Sequence, residues 1–264
     1  MIPLAVICAV PLVVIAVTVL GAVVALATHL DAADLAAVMA NEETLFAIGL
    51  SLRTSLVSLA LALVLGIPAA HLLARHRFPG KAVLETLLDL PLVTPPLVAG
   101  VGLLFLLGRQ SPVGGGLAAL GIDLLFSPAG IILAQTYVAA SIVVRTARTA
   151  FQEVEPAYAY MAWTLGLSPG WAFLLVEVPM AARGLATAAV LGWARALGEF
   201  GATLMLAGAT RMRTETLPMA VYLNIASGET GLAVACALIL LAIAFALLLV
   251  VQALSATRPG PRAA

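Results

Sequence analysis

Long runs of residues without a single charge constrain this chain more than any other feature. Residues 1–30 contain no Asp, Glu, Lys or Arg, and comparable apolar runs recur to the end of the chain. About 20 such residues, coiled as a helix, cross the hydrocarbon of a bilayer. A membrane β-barrel would show short alternating segments instead. Hydrophobic residues make up 63% of the 264 and charged residues 10%, where a soluble domain carries about a quarter charged. The fold class expected is all-α, a polytopic membrane protein. Formal net charge is zero, so there is no basic footprint for nucleic acid. Cys8 and Cys236 both lie in apolar runs, and both are expected to be buried thiols packing as small hydrophobes.

Six transmembrane helices are expected. The first is residues 1–30; it is too long for a usual signal core and no basic residue precedes it, which favours a span over a cleaved leader. An acidic stretch with Asp31, Asp34, Glu42 and Glu43 follows and suits an outer loop. Span two is residues 45–74, with Pro68 as a possible kink. The basic segment containing Arg75, Arg77 and Lys81 then reads as cytoplasmic. Span three, residues 82–108, is interrupted by Pro91, Pro95 and Pro96. Broken backbone at membrane depth is tolerated where protein or a water-filled cavity covers it. Thr94, Pro95 and Pro96 are therefore candidates for a translocation pathway, the plainer reading being a helix that starts after a turn at Pro95. Residues 109–126 read as an outer loop, and span four as residues 128–144 with Arg145 and Arg148 following as topology anchors. Span five, residues 171–207, holds Arg195 and Glu199 four apart on one face, with Gly198 and Gly201 beside them. An ion pair that holds helix packing is the reading preferred there; a gate or pathway lining is the other. Residues 217–226 suggest a short re-entrant or interfacial helix, and span six is residues 231–254. Both termini are then cytoplasmic, with residues 255–264 a short basic tail.

No Gly-rich Lys-Ser/Thr phosphate loop, no Ser/His/Asp cluster and no metal-ligand spacing is present; His29, His71 and His76 are scattered. No catalytic residue and no metal site is expected, and any pumping must draw its energy from a partner. Residues 155–179 can receive that partner. Pro156 suits the first turn of a helix and Gly166 its C-terminal stop. Between them lie Tyr158, Tyr160, Met161 and Trp163, side chains suited to anchoring in a groove of another protein. A helix resting on lipid headgroups is the alternative, weakened by the lack of Lys and Arg.

Tyr160-Met161-Ala162, three residues, Gly166, nine residues, then Val176-Glu177-Val178-Pro179 resembles the EAA loop of ABC importer permeases. That motif runs Glu-Ala-Ala, three residues, Gly, nine residues, Ile-x-Leu-Pro. Identity is kept at Ala162, Gly166 and Pro179; Tyr160, Met161 and Trp163 replace the family's Glu, Ala and Arg. Residues 194–203, ARALGEFGAT, are similar to the molybdate and sulfate permease branch, and Thr214-Glu215-Thr216-Leu217-Pro218 looks most like the molybdate/tungstate permeases. Residues 90–96 and 134–138 point the same way.

The resemblance implies a type I ABC importer permease fold over residues 45–254, with residues 1–44 as a first helix and outer loop. Residues 153–170 would be the cytoplasmic ATPase-coupling loop, made of Pro156, Tyr158, Tyr160, Met161, Ala162, Trp163 and Gly166, with Pro179 beyond it. Arg195, Glu199 and Gly201 would join Thr94, Pro95 and Pro96 as pathway candidates. The chain itself would bind no cofactor; ATP and Mg would sit on the partner ATPase. Partners would be a second copy of the chain, an ABC ATPase dimer, an extracytoplasmic molybdate/tungstate-binding protein and membrane lipid. The location would be a prokaryotic plasma membrane. A sulfate or thiosulfate permease remains an alternative, as does a non-transporting membrane scaffold.

Overall fold

A computed structural model of the chain describes residues 4–30, 38 and 40–256. Twelve helices account for most of these residues, and no strand occurs among them. In chain order they are α1 (Leu4–Thr28), α2 (Glu42–Arg75), α3 (Lys81–Val93), α4 (Pro96–Leu107), α5 (Pro112–Ala119) and α6 (Pro128–Gln152). Then follow α7 (Pro156–Thr164), α8 (Pro169–Met180), α9 (Ala182–Leu197), α10 (Gly201–Ala207), α11 (Leu217–Ala226) and α12 (Thr230–Ala256). Four helices, α1, α2, α6 and α12, are long and apolar enough to cross a membrane unaided, and two bent pairs bring the count to six. Most of the acidic stretch after α1 and the basic tail after residue 256 lie outside the described residues.

The centre of the bundle is α6, flanked by α2 and α9. The reason is small residues. Most buried positions of α2 are small: Ala47, Ser51, Thr54, Ser55, Ser58, Ala62, Gly66 and Ala70. Lipid tails are as apolar as leucine, so helices in a bilayer associate by close packing and hydrogen bonds rather than by hydrophobicity. The Val143 side chain fills the notches left by Gly66 on one side and Gly192 of α9 on the other; a Cβ on either glycine would come within 2.9 and 2.7 Å of it. Serines of α2 also bond across to α6 and α9. The Ser58 hydroxyl lies 3.0 Å from the Ile132 carbonyl and 3.1 Å from Gln135 Oε1. Trp193 Nε1 donates to Ser55 Oγ at 3.0 Å. Outward-facing apolar residues of α1, such as Leu12, Ile15 and Leu20, are exposed, as lipid-facing side chains are in an isolated subunit.

One bent pair falls within residues 82–108, where the prolines predict an interruption; the other replaces the single long span expected at residues 171–207. Between α3 and α4 the chain turns by 116°. Pro91 does not take part: it is buried within α3 near its end, and the break is confined to Thr94 and Pro95, after which Pro96 opens α4. The second pair bends by 78° at Ala181. The chain breaks again after Leu197, and α10 starts afresh at Gly201. Residues 109–126 also contain more than a loop, since Ser111 caps α5 by accepting from the Gly114 N–H. Helix α6 runs past the expected end of span four to Gln152, so Arg145 and Arg148 lie on it, and Arg148 pairs with Glu85 at 3.1 Å rather than only anchoring topology. Helix α2 passes through Pro68 without a break. Cys236 is buried as expected, but Cys8 is exposed on α1.

The breaks of α3/α4 and α9/α10 meet. A Cβ on Gly201 would lie 2.8 Å from Pro96 Cβ and 2.9 Å from the Leu97 nitrogen, and one on Gly100 2.8 Å from the Ala202 Cα. Two irregular stretches of backbone thus cover each other, which is how such stretches survive at membrane depth. Gly201→Ala is expected to cost about 1–3 kcal/mol, the usual penalty of overpacking against atoms that cannot yield. Gly102→Ala, with nothing within 4 Å of the added methyl, should be nearly neutral; thermal unfolding of both variants in detergent checks the contrast.

Candidate functional site

The sequence of α7 shapes its own ends. Pro156 occupies the first helical position after Glu155. At the other end Gly166 has φ +89°, a conformation that glycine adopts without steric cost. The Gly166 N–H donates to the Trp163 carbonyl at 2.9 Å and the Leu167 N–H to the Ala162 carbonyl at 3.0 Å. This is the paired closure of a Schellman stop.

The helix has two unlike faces. Ala159 and Ala162, three apart, are buried, and the helix packs along α8. Tyr158, Tyr160, Met161 and Trp163 turn away from the bundle. Tyr160 is 58% and Trp163 43% exposed, and their rings meet edge to face with centroids 5.2 Å apart. Large aromatic and sulfur-containing side chains held out on a rigid, capped helix form a surface that another protein's groove can take. Pro179 is exposed in the last turn of α8, ahead of the bend at Ala181. Upstream of it, residues Phe173–Glu177 form a π-helical turn, and proline and π turns are recognised causes of helix kinks.

Sequence reasoning missed what holds this loop in place. Glu177 is 4% exposed, and both its oxygens are taken by α2. Arg75 Nε donates to Oε2 at 2.6 Å, and His71 Nε2 lies 3.0 Å from Oε1. Arg75 Nη1 also donates to the Val154 carbonyl at 2.9 Å, where the chain leaves α6. The His71 ring is lodged against Phe151 and Phe173, centroids 5.2 and 4.6 Å away. A lone glutamate in an apolar run, with His and Arg four apart on another helix, was the available signal; isolated charges within apolar runs almost always have partners. Removing one member of such a buried pair leaves the other uncompensated, at about 3–5 kcal/mol.

Of the six pathway candidates the structure brings four together, Pro96, Gly201, Glu199 and Arg195. Pro96 touches Gly201, and Glu199 sits beside them, 1% exposed. One Glu199 oxygen accepts from the Ala202 N–H at 2.9 Å, capping α10; the other pairs with Arg195 Nη1 at 2.5 Å. With both oxygens engaged, Glu199 fits the packing reading. Arg195 is one turn earlier and partly exposed, while Thr94 and Pro95 form the break just ahead of Pro96.

The opposite end of α2 carries the second motif. Thr214, Glu215, Thr216 and Leu217 are buried, and the Leu217 N–H donates to Ser51 Oγ at 2.7 Å. Arg211 pairs with Glu43. At this end a cavity of about 760 Å³ is lined by Arg109, Ser111, Asp123, Phe126 and Arg213. Arg109 clasps Asp123 with bonds of 2.8 and 2.9 Å.

These features define a multi-pass membrane protein whose broken helices cover each other and whose loop helix turns an aromatic face outward. The chain belongs to the family of binding-protein-dependent transport system inner membrane components, which matches residues 62–258. It is 38% identical to the molybdenum transport system permease protein ModB of Mycobacterium tuberculosis, over 84% of this chain and 83% of that one. It is 39% identical to a probable molybdenum ABC transporter permease of Haloferax volcanii, over 84% and 80%, and 38% to ModB of Escherichia coli K12, over 72% and 84%. Among solved structures, a chain of a bacterial alginate ABC transporter superposes with TM-score 0.73 at 14% identity, covering 96% of this chain and 93% of that one. A chain of the MetNI methionine ABC transporter gives 0.59 at 20% identity, over 83% and 100%; both show the fold. The protein is a transport component rather than an enzyme, and ATP hydrolysis belongs to a separate subunit.

Two outcomes are expected. Gly166→Ala, with open space for the methyl, should cost only its backbone strain, about 1–2 kcal/mol. Amide exchange in the α7 loop would then quicken roughly fivefold or more. Burial pushes the Glu215 carboxyl above its ordinary value, more than the Met212 N–H pulls it down; Glu43 adds to the rise and Arg211 opposes it. The folded state thus holds that proton more tightly than the unfolded one, so this stabilisation is full below the ordinary carboxylate range and fades as pH rises through the raised value. Glu215→Gln should gain stability relative to the unaltered chain as pH rises above the ordinary carboxylate range, as read by thermal unfolding.

Proposed function

We propose that the chain is the membrane-spanning subunit of an ATP-driven importer of molybdate or tungstate. Two copies form the translocation pathway between them, and a binding protein specific for the oxyanion delivers the substrate. The substrate class rests on the names borne by relatives that match most of this chain. The observation that carries the mechanism is the build of α7: capped at both ends, seated on α8 through Ala159 and Ala162, and turning Tyr160, Met161 and Trp163 outward.

In this reading the α7 end of the bundle is cytoplasmic, both termini lie on that side, and residues 153–170 are the coupling loop. Each loop helix sits in a groove of one ATPase subunit, and those subunits hold ATP and Mg; this chain holds no cofactor of its own. Closing of the ATPase dimer displaces α7, and the bundle switches by rigid-body movement. Tyr160 and Trp163 stand where related loops carry Glu and Arg, so the grip depends on packing of aromatic rings into a matching groove rather than on charge. The breaks at Thr94, Pro95 and Pro96 and at Arg195, Glu199 and Gly201 line or brace the pathway. The opposite end, with its cavity beside Arg109, Asp123 and Arg213, faces the binding protein.

Trp163→Ala is expected to leave membrane insertion intact, to weaken co-purification of the ATPase and to lower ATP-dependent uptake about tenfold or more, as loss of an aromatic anchor does. Full transport at normal expression by this variant counts against the reading. Uptake of labelled molybdate by vesicles, with tungstate and sulfate as competitors, tests the substrate: strong competition by tungstate and weak competition by sulfate is expected. Absence of any ATP-driven flux would favour the scaffold alternative.

A further inference from the structure

Glu177 sits where three parts of the chain meet, α8, the end of α2 and the root of the loop at Val154. It lies on α8, the helix on which α7 rests. Its two oxygens are held by His71 and Arg75, four apart in the last turns of α2. The same guanidinium holds the Val154 carbonyl at the root of the loop. Glu177 also ends the π-helical turn, two residues before Pro179 and just ahead of the 78° bend.

We propose that Glu177, Arg75 and His71 form a transmission joint that delivers movement of α7 to α2; this rests on the reading of α7 as the helix gripped by the ATPase. Apolar helix faces can slide over one another, whereas charge-assisted hydrogen bonds to a guanidinium fix both distance and direction. The bend and the π turn below the joint would absorb a push on α8 if nothing tied that helix to a stiff neighbour. The tie to α2 prevents this. Helix α2 is unbroken for 34 residues and reaches the opposite end of the bundle, where Ser51 holds Leu217 and Glu43 pairs with Arg211. A displacement at Val154 and Glu177 is therefore carried along the whole bundle. The His71 ring, wedged between Phe151 and Phe173, keeps the carboxylate from turning away. Arg75 Nη2 is buried without an acceptor in this arrangement, a spare donor of the kind that a joint with two positions keeps for the other.

The test uses the complete transporter, this chain with its ATPase and binding protein, in liposomes, with molybdate uptake and ATP hydrolysis measured on the same preparation. Glu177→Gln keeps the shape of the side chain and loses its charge. Its expected behaviour is normal ATPase co-purification, hydrolysis within about twofold of the unaltered complex, and uptake per ATP lowered about tenfold. Arg75→Lys keeps a charge facing Glu177 but lacks the fork that also reaches Val154, and uptake per ATP should fall there too; it decides the matter if Glu177→Gln does not assemble. A purely structural role would lower uptake and hydrolysis together, in proportion to the assembled complex, leaving their ratio unchanged. That result, or a normal ratio in both variants, overturns the joint while the coupling loop stands. Failure of the ATPase to co-purify with the unaltered chain overturns the coupling loop, and the joint with it.

Discussion

A bilayer interior offers backbone amides no hydrogen-bond partners, and the whole arrangement follows from how this chain meets that constraint. Four of its helices are long and apolar enough to cross unbroken, with most backbone amides bonded within the helix. The chain departs from helix at depth where Pro95 and the Gly198–Phe200 stretch interrupt it, and these interruptions are stacked on each other through Pro96, Gly100, Gly201 and Ala202. Glu199 closes the arrangement by accepting from the first turn of α10. Small residues make this possible, because only they let two backbones approach closely enough for one to cover the other.

The same economy of bulk makes α2 the structural spine. Ser58, Ala62, Gly66 and Ala70 let α6 lie close along it. At about 1.5 Å per residue its 34 residues extend about 50 Å, well beyond the hydrocarbon. Both ends therefore emerge into polar surroundings, one carrying His71 and Arg75 to the loop hairpin and the other carrying Glu43 to Arg211. Helices that cross unbroken give the bundle stiffness, and the bent pairs give it places where one half-helix can turn against another. Alternating access in transporters draws on both properties.

Much of this was legible beforehand, and the reasons differ by element. The spans were visible because apolar length is a local property, and Leu4–Thr28, Glu42–Arg75 and Thr230–Ala256 fall within a few residues of expectation. Helix α7 was visible because Pro156 and Gly166 act only on their own neighbours. The bend at Ala181 was not, although Pro179 stands just ahead of it, because the π turn at Phe173–Glu177 that accompanies it has no sequence signature. Nor was the role of His71 and Glu177 legible. They are 106 positions apart, and what makes them partners is that α8 doubles back onto the last turns of α2. Cys8 misled for a related reason: apolar company in sequence signals a membrane helix, but does not say whether the side chain faces protein or lipid.

Taken alone, the order of residues determined the helical class, the number of crossings and the local caps, because each depends on interactions within a few turns of chain. The tertiary structure decided which breaks cover each other, which charges are paired, and how the loop hairpin is tied to α2. Those outcomes depend on distances between segments far apart in the chain, and such distances exist only once the helices have packed.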